Sequence, residues 1–189
     1  MSQERLEIID RVVREGIRAG GFPGAAVIVG RRGAAVWKKG FGTLGWASNS
    51  PSVSTDRTIY DLASLTKVIA TTTAAMILYD EGRLPLDAKV ANYLPGFEGR
   101  WKDEVTVRHL LTHRGGLPAG RDLWRIAANP DEVRRAIIEI PLAYRPGQHF
   151  EYSDLGADLL GMVIETVAGV SLDLFLQQRV FRPLGMYDT

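Results

Sequence analysis

The sequence contains no cysteine. Disulfides, thiolate metal sites and cysteine nucleophiles are therefore excluded. It has no charge excess of either sign, with a formal net charge of +1 and its basic residues scattered along the chain. No nucleic-acid footprint is expected from such a distribution. Long hydrophobic runs are also missing. The most apolar stretch, residues 68–79, is too short to span a bilayer and contains three threonines. Charged residues interrupt the N-terminus at once, so no signal-peptide core forms there. A cytoplasmic, membrane-free protein is expected, although removal of a leader would leave the same sequence. What remains is ordinary globular material: 46% hydrophobic residues in 189, enough for one large domain or a domain plus part of another.

The pattern along the chain divides into a short α/β part, residues 1–60, and a mostly helical part, residues 61–189. Leu6, Ile9, Val12, Val13 and Ile17 recur at helical spacing with charges between them, which predicts an amphipathic helix over residues 4–19. Residues 25–30 read as a buried strand, Arg31-Arg32-Gly33 as a turn and residues 34–41 as the return strand of a hairpin. Residues 42–56, rich in Gly, Ser, Asn and Thr, read as a loop. Residues 65–81 hold neither Gly nor Pro and stop at Gly82. They predict a helix that is apolar almost all round, and such a helix is normally buried on every side. Further helices are predicted at 106–112, 130–140, 155–168 and 172–180, with no strand after residue 41. The fold class is thus α/β in the α+β sense. Its antiparallel sheet is left incomplete at two strands, fewer than independent stability generally requires.

Chemistry is concentrated in two short boxes. Ser64-Leu65-Thr66-Lys67 places a hydroxyl and an ammonium three residues apart, on one helix face. Serine is a weak nucleophile until a base takes its proton, and at a helix start the unpaired N–H groups favour a developing oxyanion. Lys67 can act as that base if burial lowers its pKa. Of the five lysines, only Lys67 follows a serine by three positions, and it is the only charge between Ser64 and Tyr79. The second box is Tyr152-Ser153-Asp154, shortly after Pro146-Gly147. A phenol beside a lysine can take and return a proton. Asp154 can orient the lysine. Equally, Tyr152 can be a core aromatic and Asp154 the N-cap of the next helix. His109 and His113, four apart, form half of a metal site without a third ligand of matching spacing, and no cofactor is implied. Trp101, Trp124 and Tyr144 are candidate linings of an acyl pocket, although aromatics more often belong to a core.

Together the boxes resemble the class C β-lactamase-like serine hydrolases, the family of class C β-lactamases, D-Ala-D-Ala carboxypeptidases, penicillin-binding proteins and related esterases. The similarity extends to Pro23-Gly24-Ala25-Ala26-Val27, to residues 106–113, to Arg145-Pro146-Gly147 and to Phe181-Arg182-Pro183-Leu184-Gly185-Met186. It implies a β-lactamase/transpeptidase-like fold, an acyl-enzyme on Ser64, and Lys67, Tyr152 and Asp154 as its partners. The substrate implied is a carboxylic ester or a β-lactam or peptide-like amide.

Three departures from the family pattern carry consequences. The usual Tyr-x-Asn is Tyr152-Ser153-Asp154. A carboxylate beside Lys67 favours its ammonium, which moves the base role to Tyr152. The usual Thr-Ser-Gly-Leu is Arg114-Gly115-Gly116-Leu117. The third box, Lys-Thr-Gly or His-x-Gly, has no counterpart after Tyr152, because no lysine follows Lys102 and no histidine follows His149. These residues are therefore expected to form the front half of a catalytic domain. Such a half is expected to pair with a C-terminal segment or to self-associate, and to be a weak catalyst. A penicillin-binding or sensor module without turnover, or an inactive fragment, is the alternative.

Overall fold

The computed structural model describes residues 3–189. They fall into two compact units that divide between Asp61 and Leu62.

In the first unit, α1 (Gln3–Arg18) is followed by β1 (Gly24–Arg31) and β2 (Ala34–Gly42). Leu6, Ile9, Val13 and Ile17 form the half-buried stripe of α1, which packs on β2, while Val12 on the outer face is exposed. Asp10 on that stripe binds Lys39 of β2 and Arg14 one turn on. The two cations hold its carboxyl below the ordinary carboxylate range, Lys39 most strongly. The strands are antiparallel, with Val27 opposite Lys39 and a bulge between Val29 and Gly30. Arg32 and Gly33 close the hairpin, both at positive φ (50° and 75°). Such a two-residue turn matches the right-handed twist of its strands. No further strand is present among the described residues, only isolated bridges at Thr43–Ser52 and Lys89–Thr106.

The second unit is helical. Its order is a π-helical turn, Lys67–Thr72, continuing into α2 (Thr73–Asp80), then α3 (Val107–Leu111), α4 (Pro130–Glu139), α5 (Asp154–Ala168) and α6 (Leu172–Leu176). A second π-turn, Gln177–Phe181, leads into the short α7 (Arg182–Leu184). Helix α5 is central: Leu155, Leu159, Leu160, Val163 and Ile164 are all buried. Around it lie Ala74, Ala75 and Leu78 of α2, Val107 and Leu110 of α3, Ile137 of α4, and Phe175 and Leu176 of α6. Each fully buried aliphatic side chain contributes about 1.5–3 kcal/mol relative to exposure.

The helix after Ser64 differs from expectation in two ways. It is wound wider than an α-helix over Lys67–Thr72, where the Thr73 hydroxyl donates to the Val68 carbonyl at 3.0 Å. It is also buried on one face only. Leu65, Val68, Met76 and Tyr79 form an exposed apolar stripe, between 55% and 63% exposed. An apolar composition all round sufficed to predict burial on both sides, and the small residues Ala70, Ala74 and Ala75 explain which side packs: they let α5 approach closely. Helix 172–180 likewise resolves into α6 and a π-turn.

Candidate active site

Ser64 sits in the turn that opens the π-helical segment. Three successive short-range hydrogen bonds build that turn: Leu65 N–H to the Leu62 carbonyl, Thr66 N–H to Ala63 and Lys67 N–H to Ser64. The first helical amides are thus already paired, contrary to the expectation of several orphan donors at this end. The oxyanion reading narrows to the amide of Ser64 itself. Ala63, immediately before it, holds φ at 43°, a region sparsely populated by residues with a Cβ.

One turn on, the Lys67 ammonium donates to Ser64 Oγ at 3.1 Å and pairs with Asp154 Oδ1 at 2.6 Å. The wide π-turn begins at Lys67 itself; such turns recur at functional sites. Lys67 Nζ also lies 5.0 Å from the centroid of the Tyr152 ring. Its pKa is raised, chiefly by the Asp154 carboxylate, against the opposing effect of burial. The lowering by burial that would make Lys67 a free base is therefore outweighed, as the Asp at position 154 implied. The phenol moves the other way. A hydrogen bond from Ser64 and then one from Lys67 hold the Tyr152 pKa below that of a free tyrosine, while the Asp154 charge opposes them.

Tyr152 is 46% exposed, so it is not a core aromatic. Asp154 is not the N-cap of α5. That role belongs to buried Ser153, whose hydroxyl accepts from Gly156 N–H at 3.1 Å and donates to the Pro118 carbonyl at 2.6 Å. Asp154 is the first residue of the helix, its amide bound to the Ala119 carbonyl at 2.8 Å. Its carboxylate is left to face Lys67.

The loop that replaces the usual Thr-Ser-Gly-Leu has a definite structural reason for its second glycine. Gly116 has φ +81°, and a Cβ there would lie 2.1 Å from the Tyr144 carbonyl oxygen. Its own carbonyl accepts from Ala143 and Tyr144. The loop is thereby tied to the segment that leads to Pro146-Gly147 and the tyrosine box.

A cleft of about 1050 Å³ opens beside Ser64 and Lys67, lined by Asn129 at the N-cap of α4, Arg134 of α4, and Asp154 and Asp158 of α5. Burial, and secondarily the Asp154 charge, push the Asp158 carboxyl up. Asp158 lies one turn after Asp154 on α5, a four-residue spacing the sequence itself displays. Neither Trp101 nor Tyr144 lines the cleft. Trp101 stacks with Arg100 and Tyr144 with His149; the side chain of Trp124 lies outside the described residues. The histidine pair is occupied otherwise. His109 Nδ1 accepts from Thr106 N–H in the capping box of α3, and His113 Nδ1 accepts from Ser153 N–H. Among the described residues no group of three or more His, Asp or Glu is arranged to hold a metal ion.

Comparison with known proteins gives this geometry a family. The Beta-lactamase family profile matches residues 9–189. The N-acetylmuramyl-L-alanine amidase of Bacillus subtilis (strain 168) is 32% identical over an alignment of 206 residues, covering 100% of this chain and 46% of the amidase. Among solved structures, the octameric penicillin-binding protein homologue from Pyrococcus abyssi superposes with a TM-score of 0.81 at 30% identity, over 96% of this chain and 43% of that one. A class C β-lactamase superposes with a TM-score of 0.82 at 25% identity, over 96% and 49%. The chain spans about half the length of the relatives it matches. The fold is β-lactamase/transpeptidase-like, with a two-stranded antiparallel sheet and helices. The chain belongs to the Beta-lactamase family.

Proposed function

We propose that this chain carries the nucleophile half of a serine hydrolase that works through an acyl-enzyme on carboxylic esters or β-lactam and peptide-like amides. The observation that carries the proposal is the convergence of Lys67 on Ser64 Oγ at 3.1 Å and on Asp154 at 2.6 Å, with the Lys67 ammonium 5.0 Å from the Tyr152 ring centroid and Ser64 and Lys67 both lowering the phenol's pKa.

Asp154 holds Lys67 as an ammonium, so the lysine has no lone pair with which to take a proton. Its charge lowers the cost of ionising the neighbouring phenol. Tyr152 in its phenolate form takes the Ser64 proton as Oγ attacks the carbonyl carbon. The tetrahedral oxyanion is met by the Ser64 amide, one donor of the kind whose loss costs about 10²–10³ in turnover. Tyr152 then returns the proton to the leaving oxygen or nitrogen as the C–O or C–N bond breaks. Water, deprotonated by the same phenolate, releases the acyl group and regenerates Ser64. Relatives named as an amidase, a penicillin-binding protein homologue and a class C β-lactamase support attack on an acyl carbon.

A second reading is acylation without release. Mixing the protein with a chromogenic nitrophenyl ester separates the two. Hydrolysis gives a burst followed by steady release, whereas acylation alone gives the burst only. Neither phase appears if Ser64 is not a nucleophile.

A further inference from the structure

His113 leaves α3 with φ at 53°, which turns both its backbone and its side chain toward the tyrosine box. Its carbonyl accepts from Glu151 N–H at 2.9 Å. Its Nδ1 accepts from Ser153 N–H at 3.1 Å. One residue therefore holds the backbone on both sides of Tyr152. The imidazole also packs on the phenol itself, with ring centroids 4.6 Å apart and planes tilted by 38°, and against Phe150 edge-on at 6.0 Å. Because Nδ1 is an acceptor, the neutral ring carries its proton on Nε2.

We propose that His113 is a positioning residue for Tyr152, clamping the phenol at Ser64 and Lys67 only while its imidazole is neutral. The proposal rests on the reading of Tyr152 as the proton acceptor. Protonating Nδ1 breaks the bond from Ser153 N–H, since two donors would then face each other. It also sets a second cation close to Lys67. The charged and titratable groups facing the ring are Lys67, Asp154 and Tyr152. Burial, then the Lys67 charge, keep the imidazole neutral to lower pH than a free histidine, with the Asp154 charge and the Ser153 backbone opposing. Displacing a reacting group by ~1 Å can cost as much as about a hundredfold in rate, so a loosened clamp is visible in acylation.

The test is the pH dependence of Ser64 acylation by a fluorophosphonate in the wild-type chain, H113N and Y152F. Asparagine tolerates the left-handed backbone but neither stacks on the phenol nor titrates. H113N is expected to acylate about tenfold more slowly or worse at the wild-type optimum, and to lose the part of the acid-side fall that belongs to the imidazole. Wild-type rate and an unchanged acid limb in H113N, with Y152F strongly impaired, overturn the His113 proposal alone. An unimpaired Y152F overturns the Tyr152 reading instead, and the clamp with it. A measurement without substitution guards against misfolding of H113N. The chain has only three histidines, so imidazole ¹⁵N shifts can be resolved for each. The proposal requires the Nε2–H tautomer of His113 at neutral pH and a titration that coincides with the part of the acid-side fall that H113N loses. The Nδ1–H tautomer, or a titration displaced from that part of the fall, overturns it.

Discussion

Replacing Asp154 by asparagine restores the common Tyr-x-Asn pattern and removes one charge from the site. The Lys67–Asp154 pair is 2.6 Å long, but the carboxylate side chain is 63% exposed and the lysine 19%. In bulk-water dielectric two unit charges at that distance attract by about 1.6 kcal/mol. Ordering two side chains reduces the net value toward the range of exposed pairs, about 1 kcal/mol or less. D154N should therefore lose no more than about 1 kcal/mol of stability. The folded-state pKa of Lys67 is raised, so this contribution is present at neutral pH and disappears as the pH rises through that folded value. The larger consequence is for the pH–rate profile. Asp154 favours the Lys67 ammonium and disfavours the Tyr152 phenolate. Its removal lets both groups lose their protons at lower pH. The limb set by phenol ionisation and the limb set by loss of the ammonium then move in the same direction, and the bell of kcat/KM shifts acidward as a whole. The assay is ester hydrolysis across the pH range for wild type and D154N at constant ionic strength. An unmoved profile, an alkaline shift or abolished activity in a folded D154N refutes the assignment of charge within the triad of Lys67, Tyr152 and Asp154.

Other consequences can be measured on the same chain. Y152F should acylate about a hundredfold more slowly, the usual scale of general acid–base catalysis, with its thermal midpoint nearly unchanged because the ring is half exposed. G116A should be destabilised by about 1–3 kcal/mol from its left-handed backbone alone. The approach of a Cβ to the Tyr144 carbonyl at 2.1 Å adds to this, and denaturant titration reads the sum. The exposed stripe of Leu65, Val68, Met76 and Tyr79 should drive concentration-dependent association in sedimentation. V68S and M76Q together should reduce it without loss of the helical signal.

The regular elements were largely legible from periodicity. The stripe on α1, the hairpin with its Arg32-Gly33 turn, and α3, α4 and α5 follow from residue spacing and end within a residue or two of expectation. Ser64 and Lys67 were legible for the same reason, since a spacing of three puts them on one face whether the turn is α or π. Less was visible where the outcome depends on a partner distant in sequence. Ser153 and Asp154 are both good caps, and only the Pro118 and Ala119 carbonyls decide that the serine takes that place. His113 stood out only as half of a metal pair, because nothing local reveals that its ring meets Tyr152 nearly forty positions later. The direction of the Lys67 shift was foreseeable from the carboxylate at 154. The π-turn was not, as no residue type encodes one.

The central claim is that Ser64 is the nucleophile, and covalent labelling tests it most directly because it requires attack but not turnover. Incubation with a fluorophosphonate, followed by intact mass and peptide mapping, should show one adduct, on Ser64, and none on a folded S64A. A label on another residue, or S64A labelled as fast as wild type, contradicts the account.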